Sequence, residues 1–494
     1  MLKYFFSINL ILIISLSSFA QTDIDALRYS QWTSGATARS LGVGGAFGAL
    51  GGDISSVNIN PGGLGVFRAS EISLTPAYNL GTISSDFSGN IVDTDKNKFR
   101  FAGVGAAFVT LTDRYENDWK ATTFAITYNQ LANLDKQFNY ENVTQGSIAE
   151  SFLEYADGYL VDDLADPEWL AYQVYMIDDS LYGETNYTSP LGQNSLVAKS
   201  EDFEAKGSIY DLGFSVGANY RHKLYLGATI GLPIVNYEQE TTYREEDVNN
   251  THYNFDEMSY TTGFATTGIG ANLKIGAIYK INRQYRVGLA VHTPTAFGLT
   301  DTEYNLEMTK FPSQNGDPPD ASLSYDVLEY NLRTSWRFTA SGAAIFKKFG
   351  FVTADVEWLN YGANRFSFEY SSDECAACES EARFTNNIII DNYKSAINAR
   401  LGAEYRYKIL RARAGYAYYG NPFDGDVMTA SGVQQNISFG LGIRPESVYL
   451  DFALVQNVSK ELYVPYRTVS SPNVQEINND IRNTRIVITG GFKF

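Results

Sequence analysis

Two cysteines, three histidines and five methionines in 494 residues leave little material for metal, redox or disulfide-framework chemistry. Cys375 and Cys378 stand with two residues between them in a polar stretch, a spacing that suits a local disulfide in an oxidising compartment, whereas zinc needs two further ligands nearby. His222, His252 and His292 fall in a predicted turn, a loop and a strand, so no metal site and no cofactor are assigned. Catalytic motifs are missing too. Gly213-Phe214-Ser215-Val216-Gly217 matches the spacing of a nucleophile elbow, but it lies inside an alternating strand rather than at a strand-to-helix turn. Gly42–Phe47 lacks the third glycine and the βαβ context of a dinucleotide fingerprint. An enzyme is therefore not expected, and a net charge of −18 argues against a nucleic-acid partner. Beyond residue 20 no apolar run is long enough for a spanning helix.

What is present begins with a leader. Lys3 supplies a positive start, Leu10–Leu16 an apolar centre, and Ser18 and Ala20 the small residues of a cleavage site, so residues 1–20 read as a signal peptide. The mature chain then starts at Gln21, with no cysteine there to carry a lipid anchor. An exported chain without spanning helices keeps one membrane option, a closed β-barrel whose backbone groups all pair between strands. Thirty-five Tyr, thirty Phe and forty-two Gly suit such a barrel and its aromatic girdles. A soluble β-sandwich or propeller would share the alternation but not the leader and the C-terminus together.

Strict period-2 alternation recurs along the chain. In 121–129, Phe124, Ile126 and Tyr128 face one way and Thr123, Ala125, Thr127 and Asn129 the other; in 225–234, Leu226, Ala228, Ile230, Leu232 and Ile234 alternate with small or polar residues. Fourteen strands are predicted, near 69–79, 99–111, 120–130, 207–220, 224–237, 266–281, 285–298, 331–347, 350–368, 391–406, 409–419, 434–444, 448–458 and 484–494. Their connections alternate between tight turns, such as Arg221–Lys223 and Tyr407–Lys408, and long polar loops at 81–98, 131–206, 238–265, 299–330, 369–390, 420–433 and 459–483. The last strand ends on Phe494, as substrates of the barrel-assembly machinery do.

Ahead of the first strand lies Ser40–Leu64, SLGVGGAFGALGGDISSVNINPGGL. Gly42, Gly44, Gly45, Ala46 and Phe47, followed by Asn60, Pro61, Gly62, Gly63 and Leu64, resemble the N-terminal hatch of the FadL-like long-chain fatty acid and hydrophobic-compound transporters. Gly62 departs from that family's usual Ala. Segments 285–297, 352–366 and 411–423 also look like the family's later strands. The resemblance implies an all-β membrane protein, a 14-stranded antiparallel barrel (69–494) filled by a hatch or plug (21–68), in the outer membrane of a Gram-negative bacterium. It implies passive, gated uptake of hydrophobic compounds such as long-chain fatty acids, with outer-membrane lipid and an apolar small molecule as partners. Substrate would leave sideways through a kink in the third strand, yet 121–129 holds neither Gly nor Pro. The alternatives are a secretion-shuttle or surface protein-interaction barrel of the same fold and a polar-solute porin.

Charge is uneven. Segment 131–206 carries fifteen acids against three lysines, two-thirds of the net charge. It reads as a helical extracellular loop: Asp166 as N-cap and Pro167 in the first turn start a helix with Leu170, Val174 and Ile177 on one face, and 147–160 aligns Ile148, Phe152, Tyr155 and Tyr159. The lumen reads as slightly basic, with Arg286, Arg333, Arg337, Arg411 and Arg413 as candidate contacts for an anionic headgroup. The competing reading is that they pair with barrel acids and with Asp23, Asp25 and Asp53.

Overall fold

The computed structural model describes residues 23–33, 35–112, 118–179, 185–192, 194–311, 319–368, 376–424, 432–468 and 475–494. The leader and Cys375 lie outside the described residues, as does the side chain of Cys378.

Fourteen antiparallel strands close on themselves. The first seven are β1 (Glu71–Phe87), β2 (Asn90–Leu111), β3 (Trp119–Asn133, resuming as Lys136–Gln145), β4 (Leu196–Tyr220), β5 (Leu224–Glu246), β6 (Glu257–Lys280) and β7 (Tyr285–His292, resuming as Ala296–Phe311). The rest are β8 (Asp320–Arg333, then Arg337–Phe346), β9 (Gly350–Asn360, then Arg365–Ser367), β10 (Ser395–Tyr407), β11 (Leu410–Tyr419), β12 (Gln434–Ile443), β13 (Val448–Tyr463) and β14 (Ile477–Lys493). Closure comes from β1 against β14, in register from Glu71↔Lys493 to Phe87↔Ile477. The alternation sets the faces: Ile72, Leu74, Tyr78 and Leu80 are exposed on the outside, while Ser73, Thr75, Ala77 and Asn79 are buried inside. Among the described residues no helix is long and apolar enough to cross a membrane.

The strand count stands, but the strands are longer than the apolar alternation. Much of the predicted loops is ladder: β1 and β2 pair through Phe87↔Asn90, and β4 with β5 from Tyr220↔Leu224 out to Ala198↔Glu246. Outside the apolar band the outward positions, such as Asp93, Asp95 and Asp202, are polar, so hydropathy loses its period while the backbone keeps pairing. The loop expected over 131–206 shrinks to the residues between Gln145 and Leu196.

Three predicted strands are broken. Thr293-Pro294-Thr295 interrupts β7, where proline has no N–H for the ladder. Residues 334–336 interrupt β8, and a 3-10 turn at Tyr361–Ala363 interrupts β9. The break in β8 corrects one assignment: read as one strand, Arg333 and Arg337 share a face, but the interruption changes the parity, leaving Arg333 exposed and Arg337 buried.

Helices α1 (Asp23–Arg28), α2 (Ala38–Leu41) and α3 (Ser56–Ile59) precede the barrel, and a 3-10 turn spans Pro61–Val66. The outer loop holds α4 (Ala149–Ala156) and α5 (Asp166–Gln173). Helix α4 is shorter than expected and Tyr155 is exposed, Ala149, Phe152 and Ala156 forming the buried face instead. Helix α5 has Ala165, not Asp166, at its cap position, and Leu170, Val174 and Ile177 are fully buried. They pack with Phe152 and with Tyr243, Met258, Leu306 and Met308 from the outer ends of β5–β7. A further helix, α6 (Ala376–Asn392), lies where a loop and the start of a strand were expected.

Glu168 on α5 is buried with this cluster, and burial pushes its carboxyl from 4.5 up to about 7. The protonated form is the one the fold favours. Its contribution to the stability of the loop is therefore full below about pH 4.5 and is lost as pH rises through about 7. Hydrogen exchange over 166–177, corrected for intrinsic rates, should be slower at pH 5 than at pH 8. Glu168→Gln should remove that difference, and an unchanged pH response in the variant would count against the assignment.

Candidate functional site in the barrel lumen

The N-terminal segment 36–67 is buried inside the barrel, and the hatch residues named above meet its wall at two places. Gly42–Phe47 faces β9–β12. Gly44 and Gly45 adopt the left-handed region (φ 69° and 74°), and a Cβ on Gly44 would sit 2.9 Å from the Tyr416 backbone, so glycine is required twice over. The Gly44 N–H donates to Ser438 Oγ at 3.0 Å. The Phe47 and Gly48 N–H groups both donate to Asp355 Oδ2 at 3.0 Å.

Asn60–Gly63 faces β5–β7. Asn60 caps the 3-10 turn that Pro61 begins: its Oδ1 accepts from Gly62 N–H at 3.0 Å. Its Nδ2 donates to Gly48 O at 2.7 Å and to Ala277 O of β6 at 3.2 Å. One side chain thus ties the turn, the other half of the segment and the wall together. The wall is flattened to receive it: a Cβ on Gly276 would lie 2.0 Å from Asn60 Oδ1, and one on Gly227 2.1 Å from Pro61 O.

Three of the five candidate arginines face barrel carboxylates. Arg413 bonds Glu404 at 2.7 Å and Asp451 at 2.8 Å, and Arg411 lies 3.8 Å from Glu404. Arg337 lies 3.5 Å from Glu357 and its guanidinium sits over the Trp32 ring at 4.6 Å, while Arg286 donates to Leu50 O at 2.8 Å. Arg333 is on the outer surface and takes no part. Arg337, Arg411 and Arg413 thus face barrel carboxylates, as the pairing reading has it, Arg286 meets a backbone carbonyl instead, and Arg39 and Arg444, which sequence reasoning missed, approach Asp53, each at 4.0 Å. Asp23 accepts from Asn392 and Tyr393 of the α6 region at 2.9 and 3.0 Å.

Beyond this segment Tyr29 beside α1, Phe138, Phe203, Tyr237, Phe297, Tyr330 and Phe366 form one buried apolar cluster. The wall beside it is incomplete. Residues 103–111 of β2 pair with 121–129 of β3, but β3 then bulges between Gln130 and Ala132, stops at Asn133, and resumes paired with β4. Among the described residues no backbone ladder joins Asn90–Phe101 of β2 to the resumed strand. Side chains close the seam instead: Arg100 and Lys98 on Asp135 at 2.7 and 3.1 Å, Lys96 on Glu204 at 3.1 Å, and Thr94 on Asn139 at 2.5 Å. Outside, exposed Phe99 and Phe101 meet edge-to-face at 5.2 Å, and Tyr210 donates to Phe101 O at 2.9 Å. β3 is thus uninterrupted over 121–129 and breaks a few residues later, at Leu134-Asp135, without Gly or Pro.

The closed 14-stranded barrel matches known structures. The chain aligns over 94% of its length with 99% of a Pseudomonas aeruginosa FadL homologue, at 12% identity and TM-score 0.55. The fold is FadL-like. The Pseudomonas putida toluene transporter TodX aligns over 94% of this chain and 99% of its own, at 14% identity and TM-score 0.51. No family model and no curated protein matches the sequence. Within the FadL-like fold, the seam residues Lys96, Lys98, Arg100 and Asp135 are the ones sequence reasoning overlooked, although the alternation of Lys96, Lys98 and Arg100 with Phe99 and Phe101 continues the strand period.

Proposed function

We propose that this chain is a non-enzymatic outer-membrane channel for passive uptake of hydrophobic compounds in a Gram-negative bacterium. Residues 1–20 are its export signal, 21–68 its plug and 69–494 its barrel. The observation that carries the reading is the seam: a break in the wall, stitched by side chains, opens from the apolar cluster towards the exposed aromatic band. At its end beside the exposed Phe99 and Phe101 the gap borders the apolar band, where unpaired backbone is costly, so a fold that only needed to enclose a lumen would have continued the ladder there. The aligned neighbours support it, since TodX is a toluene transporter. Outer loops would catch the substrate, the apolar cluster would hold it, and the seam would release it sideways into the membrane.

The test is native mass spectrometry with lipid identification on the barrel purified from its own membrane in a mild detergent. A stoichiometric apolar adduct is expected. An adduct-free lumen with co-purifying surface proteins would replace this reading by the interaction-platform one.

A further inference from the structure

On the outside of the wall, at the end closed by short turns, a cavity of about 440 Å³ is framed by Phe346, Phe349, Val352 and Tyr405, all exposed, and floored by Ala403, Ala412 and Ala414. Pairing sets this floor across three strands: Val352↔Ala403↔Ala414 and Gly350↔Tyr405↔Ala412 run from β9 through β10 to β11. The volume lies within the roughly 300–1,000 Å³ of small-molecule sites, and the side chains around it are apolar.

The two turns that border the groove are basic. Lys347 and Lys348 lie between Phe346 and Phe349 in the β8–β9 turn, and Arg406 and Lys408 flank Tyr407 where β10 turns into β11. A hydrogen bond of 2.7 Å from the Arg406 N–H to Phe349 O ties the two turns together. In a chain of net charge −18, residues 345–353 and 405–413 contain no acid. The carboxylate beside them, Glu404, is turned onto Arg413 at 2.7 Å, and among the described residues none pairs with Lys347, Lys348, Arg406 or Lys408.

We propose that this groove binds an anionic glycerophospholipid of the leaflet that the short turns face, one acyl chain lying over the alanines and the phosphate accepting from the turn cations. Two terms then act on one molecule: burial of hydrocarbon, which any phospholipid would gain, and attraction of clustered Lys and Arg for net negative charge at the membrane surface. The site rests on the outer-membrane placement proposed above and not on the route of uptake. On the inner face of the same strands Phe351 packs with Val43 and Phe47, so a lipid held here braces the stretch of wall that seats Gly42–Phe47.

The test titrates dioleoyl phosphatidylglycerol and dioleoyl phosphatidylcholine, which share their chains, onto the full-length protein in dodecyl maltoside under native mass spectrometry. Phosphatidylglycerol should bind roughly tenfold more tightly. Lys347→Gln, Lys348→Gln, Arg406→Gln and Lys408→Gln together should bring it to the level of phosphatidylcholine, whereas Lys120→Gln with Lys223→Gln, on the far side of the barrel, should change neither lipid. Ala412→Phe, which fills the groove, should weaken both. Equal binding of the two lipids by the unaltered protein overturns the site and needs no variant to fold. Equal losses in the two cation variants would assign the attraction to the whole rim, and a dimer forming in place of lipid binding would give the groove to a second copy; either overturns the site while leaving hydrophobic uptake standing. Recovery of the protein outside the membrane fraction would overturn the placement instead.

Discussion

A disulfide between Thr94→Cys and Asn139→Cys should lower uptake of an apolar substrate by roughly tenfold or more, with recovery on reduction. Thr94 Oγ1 lies 2.5 Å from Asn139 Oδ1 and accepts from the Asn139 N–H at 3.2 Å, so the two side chains already meet across the seam. A covalent link there joins β2 to the resumed β3, where side chains alone now hold them. Strand order, closure of β1 on β14 and the lumen would be untouched, so folding measured by heat-modifiable gel mobility should not change. Full uptake in a quantitatively cross-linked sample would mean that substrate does not leave through this seam, whatever else the barrel does.

The second large effect concerns the joint at Asn60. Asn60→Ala removes one acceptor and one donor that serve Gly62, Gly48 and Ala277, and leaves buried backbone groups without partners. That costs about 1–3 kcal/mol for each group so stranded, enough to shift how residues 36–67 sit without opening the wall. Gly276→Val attacks the same joint from the barrel side, because its Cβ would stand 2.0 Å from Asn60 Oδ1 and 3.0 Å from Pro61 Cδ. Both variants should reduce uptake, raise ion conductance in planar bilayers and make the N-terminal segment accessible to protease. Native-like uptake and protection in both would remove Asn60–Gly63 from any gating role.

Much of this was legible in advance because a barrel wall in lipid obeys a simple code. Outward positions must be apolar and the backbone must pair, so Phe124, Ile126 and Tyr128 announce their strand without help from distant residues. Local chemistry also marked the N-terminal segment: two consecutive glycines at 44 and 45 and an Asn-Pro start to a turn state a backbone requirement in the residues themselves. The code stops where the lipid stops. Outer strand extensions such as Asn90–Lys98 meet water or other loops, and the long helix at 376–392 sits in a stretch with no such periodicity to expose it.

The sequence by itself determined the class of fold, the number of strands and the glycines and asparagine that the N-terminal segment needs, since each of these follows from alternation or from one residue's backbone freedom. Tertiary structure alone decided which charges meet. Arg333 lies outside because three residues break β8, and Arg413 finds Asp451 across strands that are far apart in the chain. It alone placed the gap beside β2, because the ladder ends where β3 breaks and resumes on β4 alone, and that is a relation between strands which no single stretch of residues records.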